Sequence, residues 1–146
     1  MIKPASIIKF DRLYLAALVL GAVNFAVELG SLSDRLAQIP EYIANGFGTG
    51  ILIASFIAGL AINLLIWFFI SVRASKVAKW ILVALFAIGL VQMVRSFGHA
   101  LGPQGFSLAV TLVITGLQAA AIYMLFRPDA LSWFNRNPPV DSDTFR

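Results

Sequence analysis

Two sets of polar side chains stand in apolar surroundings, at spacings that put each set on one helix face. Asn24 and Glu28 are four residues apart, and Gln92, Arg95 and His99 follow one another at intervals of three and four. Such spacings stack side chains along the same side of a helix. A carboxylate, a guanidinium, an imidazole and two carboxamides can pair ions, pass a proton or hold a lipid headgroup, with Glu28 as the titrating member. Both segments are expected to run outward through a membrane. Glu28 and Arg95 should then reach similar depth and pair, with Asn24, Gln92 and His99 completing a hydrogen-bonded cluster near the outer surface. The plainer reading is a helix-fixing ion pair at a partly hydrated interface; the functional one is an ion, proton or headgroup site.

A second set sits nearer mid-membrane. Asn63 is surrounded by isoleucine and leucine, and Thr111, Thr115 and Gln118 recur at intervals of four and three. Polar groups in hydrocarbon are costly, so each needs a partner. Asn63 and Gln118 are expected to hydrogen-bond to one another or across a subunit interface. Bonds of this kind contribute about 0.6 kcal/mol on average, which suits structural glue better than the lining of a pore.

Other chemistry is missing from the pattern. There is no G-x-S-x-G, no phosphate-binding Gly-Lys loop, no H-E-x-x-H and no dinucleotide fingerprint. Ser96 and His99 lack a placed acidic partner, so they make no triad. The chain has no cysteine and one histidine, which removes disulfides, thiolate chemistry and a histidine metal cluster within one chain. No catalytic residue, metal site or cofactor is expected.

The elements that must position these groups are membrane spans. Of 146 residues 60% are hydrophobic and only 12% charged, with a mean hydropathy of +0.87; a soluble domain carries roughly 25% charge. Four continuous apolar runs, at about 13–29, 48–72, 77–97 and 106–126, are each long enough for a helix to cross a bilayer. They do not alternate as barrel strands do. The first run is longer than a signal-peptide core and lacks a small-x-small cleavage site, so it is read as a retained helix.

Basic residues set the expected orientation. Lys3, Lys9 and Arg12 precede the first span, Arg73, Lys76 and Lys79 lie between the second and third, and Arg127, Arg136 and Arg146 follow the fourth; Arg35 and Arg95 alone fall on the other side. The positive-inside rule puts both termini in the cytoplasm. The charge of +4 is thereby explained without nucleic acid. Trp67, Trp80 and Trp133 lie beside the basic loops, where they suit a headgroup-level aromatic belt.

The connections carry their own signals. Leu32, Leu36, Ile39, Ile43 and Phe47 recur at threes and fours between Asp34, Arg35, Gln38, Glu41 and Asn45, which reads as a short interfacial helix interrupted or restarted at Pro40. Pro128 and Asp129 suit the first turn of another short helix after the last span. Small residues recur by fours at Ala22, Ala26 and Gly30, and on two faces of the second span: Gly50, Ala54, Ala58 and Ser55, Gly59, Asn63. One face is expected to meet a neighbouring span and the other a second chain.

Two segments carry a resemblance. Arg73-Ala-Ser-Lys-Val-Ala-Lys-Trp-Ile-Leu82 resembles the basic loop entering a span in small bacterial membrane proteins, and Leu125-Phe-Arg-Pro-Asp-Ala-Leu-Ser-Trp-Phe134 resembles the ending of uncharacterised four-helix inner-membrane proteins of bacteria. These are interface anchors, and the resemblance implies a location without an activity. The expectation is an all-α polytopic protein of the bacterial inner membrane, with four transmembrane helices, both termini cytoplasmic and short interfacial helices in the first loop and after the last span. Its transmembrane domain covers 1–136 and a mobile tail 137–146. Its partners are the lipid bilayer and either further copies of itself or a larger membrane complex. A non-enzymatic accessory, scaffold or oligomer-forming subunit is the leading role. A small oligomeric channel or transporter and a membrane-perturbing effector are the alternatives.

Overall fold

A computed structural model describes residues 3–99 and 102–135, and among them all regular structure is helical. The order is α1 (Ala5–Ala37), α2 (Pro40–Ala44), α3 (Thr49–Ser71), α4 (Lys76–Ser96), α5 (Gly105–Met124) and α6 (Pro128–Phe134). α1, α3, α4 and α5 are the four helices long and apolar enough to cross a membrane. The tail expected at 137–146 lies outside the described residues.

The second, third and fourth spans start and stop within two residues of the apolar runs. The first does not. α1 begins eight residues before its apolar run and continues past Gly30 to Ala37, about 50 Å in all. Hydropathy marks where a helix meets lipid, whereas its backbone hydrogen bonds continue in water as well. Beyond the run the Ser31 and Ser33 hydroxyls donate to the Glu28 and Leu29 carbonyls, 3.0 and 2.8 Å away. The interfacial helix expected over the whole first loop is therefore mostly the end of α1. The break comes before Pro40, where Ile39 is extended (φ −106°, ψ 103°) because proline disfavours a helical predecessor. α2 is the short restart.

The helices meet most closely at one end. α1 packs along α5 more extensively than along any other element, α3 packs on α4 and α1, and α4 barely touches α5. The buried cluster is built from Ile7, Phe10 and Tyr14 of α1, Ile66 and Ile70 of α3, Leu82 of α4, Leu125 after α5, and Trp133 and Phe134 of α6. The start of α1, the end of α3, the start of α4 and α6 thus converge, so the two ends of the described chain lie at the same end of the bundle.

Polar bonds fix that end. The Ser6 amide and hydroxyl both donate to the Asp129 carboxylate, at 3.1 and 2.6 Å. These bonds, the hydroxyl first, hold the Asp129 carboxyl below its usual range, with a smaller contribution from Arg127. Asp11 accepts from Lys3 at 3.0 Å and from the Trp67 indole at 2.9 Å, while Lys3 also donates to Ser71 at 2.6 Å. Trp133 donates to the Ile70 carbonyl at 3.2 Å, one of the carbonyls left without a partner at a helix C-terminus. Lys79 lies 4.5 Å from the Phe126 ring centroid and 5.2 Å from that of Phe134, tying the start of α4 to α6. The tryptophans do not form one belt: Trp80 is 60% exposed, but Trp133 is folded into the protein with 4% exposure.

Candidate functional site

The cluster expected on the outer side divides into two. α1 turns Asn24 and Glu28 toward α5 and the loop before it, away from α4. The Asn24 carboxamide donates to Ser107 of α5 at 3.3 Å. Glu28 pairs with Arg35 at 3.9 Å, and Arg35 also donates to the Gly102 carbonyl at 3.1 Å. The expected Glu28–Arg95 ion pair is not formed among the described residues. Spacing along a helix says nothing of the direction in which its side chains point relative to the other helices. Arg35 escapes notice when the first helix is ended at Gly30; once it continues, Glu28 and Arg35 stand two turns apart on one face.

Gln92, Arg95 and His99 remain together on the other side. With Ser96, Ile39 and Tyr42 they line a recess of about 400 Å³, and all three are exposed. Gly102 closes this corner. A Cβ there would collide with the Ser96 carbonyl oxygen, so the turn between α4 and α5 requires glycine.

The polar residues expected near mid-membrane share one cavity. Asn63, Thr111, Thr115 and Gln118 all line one cavity of about 490 Å³ between α3, α4 and α5, a volume within the range of roughly 300–1,000 Å³ typical of small-molecule sites. Its remaining walls include Leu82, Phe86, Gly89, Met93 and Ile114. Asn63 is not bonded to Gln118 as expected. Its carbonyl oxygen accepts from the Tyr14 hydroxyl at 2.7 Å and its amide donates to the Gly59 carbonyl at 2.8 Å. Thr115 donates back to the Thr111 carbonyl at 2.8 Å and lies 3.6 Å from the Met93 sulfur. Gln118 also lines a second cavity of about 320 Å³, shared with Gly21, Ser55, Phe56 and Asn63.

Tyr14 is the member that sequence reasoning missed. It is 1% exposed and stacks on Phe10 with ring centroids 5.3 Å apart. A phenol in an apolar run, on the face that also carries Phe10 and Ala17, is the signal that could have found it, because a buried hydroxyl needs a partner at similar depth.

Chemically the layer offers neutral hydrogen-bonding groups inside an apolar wall. No group of acidic or histidine side chains among the described residues is arranged to hold a metal ion. Comparison with protein-family models, with curated proteins and with solved structures gives no match for this chain.

Proposed function

We propose that this chain is a non-enzymatic protein of the bacterial inner membrane, with both termini cytoplasmic, that works as an accessory or oligomer-forming subunit. The observation that carries the reading is how α3 presents its two small-residue faces. Gly59 and Asn63 face the cavities and the neighbouring helices. Gly50, Ala54 and Ala58 are all exposed, and a Cβ on Gly50 would meet nothing within 4 Å. Small residues four apart let a second helix approach to backbone contact, where van der Waals packing holds it in lipid. The orientation rests on the basic residues, which gather at the end where α1 begins and α6 lies.

A channel or transporter built on the outer-side cluster has less support, since Glu28 is engaged by Arg35 and separated from Arg95. The absence of cysteine makes the subunit reading simple to test. Ala54→Cys, oxidised in native membranes, is expected to yield a disulfide-linked dimer, and Ala58→Leu in the same chain should reduce that yield strongly. Cross-linking no greater at 54 than at Ile53→Cys or Leu64→Cys, which are exposed on another face of α3, or unchanged by Ala58→Leu, contradicts it.

A further inference from the structure

We propose that the cavity between α3, α4 and α5 binds a neutral amphiphile, an apolar chain or ring carrying one hydroxyl or carbonyl, with the Gln118 carboxamide as its hydrogen-bond partner. Three observations lead there. Most other polar groups of the wall are engaged within the protein: Asn63 with Tyr14 and Gly59, and the Thr115 hydroxyl with the Thr111 backbone carbonyl, which leaves the Thr111 hydroxyl beside Gln118 on the same helix face. The Gln118 side chain has no such bond among the described residues, although it lines both cavities at mid-span. In hydrocarbon a carboxamide without a partner is penalised by several kcal/mol, so a group that can both donate to it and accept from it is favoured at this place.

The second observation is charge. None of the side chains that line the cavity is ionisable at neutral pH, so a charged headgroup would be left without a counter-ion in lipid. The third is shape. Gly59 and Gly89 stand on facing helices, and a Cβ on either would meet nothing within 4 Å. Together with Phe86, Ile114 and Met93 they leave an apolar slot beside the polar strip. The sparse contact between α4 and α5 gives that slot a lateral opening toward lipid tails, the direction from which an amphiphile arrives.

Photolabelling tests the proposal with the full chain in phosphatidylcholine nanodiscs. The probe is a diazirine-bearing hexadecanol; its controls are the same chain without a headgroup and the corresponding fatty acid. Saturable labelling of peptides that contain Phe86–Met93 or Ile114–Gln118 is expected from the alcohol. One hydrogen bond contributes about 1 kcal/mol, or roughly fivefold in affinity, so the alcohol should outcompete the headless chain by about that factor. Gln118→Leu should abolish this preference while leaving residual labelling, and Gly89→Leu should block labelling by filling the slot. Solvent extraction of the purified protein separates two sources of the ligand. A neutral lipid enriched over the bulk membrane points to a resident lipid. Labelling without such enrichment points to a compound taken up from outside. Equal labelling by alcohol and headless chain, no response to Gln118→Leu, or labelling concentrated on the exposed Val23 and Val27 of α1 overturns the proposal. Cross-linking of Gly89→Cys between two copies would overturn it as well, by assigning the slot to a partner helix.

Discussion

Replacing Trp133 with alanine is expected to release α6 from the bundle and to lower stability by about 3–5 kcal/mol, the range for truncating a buried tryptophan. The side chain is buried, and its indole N–H closes the end of α3 through the Ile70 carbonyl. With α6 gone, Phe134 leaves the Lys79 ammonium and Asp129 leaves Ser6, so one substitution loosens three attachments. Trp133→Phe retains most of the packing and loses the hydrogen bond, and about 1 kcal/mol is expected. SDS titration of the protein in mixed micelles, followed by far-ultraviolet circular dichroism, measures both. Equal small losses for the two variants would show that α6 rests on the surface without holding it.

Tyr14→Ala is the second large effect, at about 2–4 kcal/mol. Truncation of a buried aromatic residue in a soluble core costs about 3–5 kcal/mol, but lipid tails shield an apolar ring almost as well as protein does, so the transfer contribution shrinks and the lost packing on Phe10 remains. The hydroxyl has its own share. Tyr14→Phe leaves the Asn63 carbonyl oxygen without its 2.7 Å donor, an orphaned acceptor worth about 1–3 kcal/mol when buried. Asn63→Leu leaves the phenol orphaned in turn. The double change Tyr14→Phe with Asn63→Leu removes both groups together and is expected to cost less than the two single changes combined. Additive costs in the same micelle titration would show that the bond is not what holds these two side chains.

The four spans were legible because hydrocarbon demands an uninterrupted apolar run, and such a run has no other common reading. The helix ends were legible where loop chemistry was decisive. Pro40 and Pro128 each open a short helix, whereas the Ser75 cap of α4, which accepts from the Ala78 amide at 3.2 Å, was not read. The true length of α1 was hidden because its first turns lie among Lys9, Asp11 and Arg12, which hydropathy reads as loop. The site was legible along each helix and not between helices. Thr111, Thr115 and Gln118 share a face of one helix, so they reached the cavity together. Asn24 and Arg95 sit on different helices, and nothing local to either records that α1 turns its polar face toward α5. Tyr14 and Asn63, 49 residues apart, meet through packing alone.

The central claim is that this polypeptide crosses a bilayer four times and returns to the side on which it began. Single cysteines at positions 9, 45, 76, 104 and 135, all exposed in the structure, test it with a membrane-impermeant maleimide applied to intact cells and to lysed ones. Labelling of Asn45→Cys and Gln104→Cys in intact cells, with Lys9→Cys, Lys76→Cys and Asn135→Cys reacting only after lysis, is the predicted pattern. Lys9→Cys and Asn135→Cys on opposite sides, or full-length protein recovered from the soluble fraction without detergent, would contradict it.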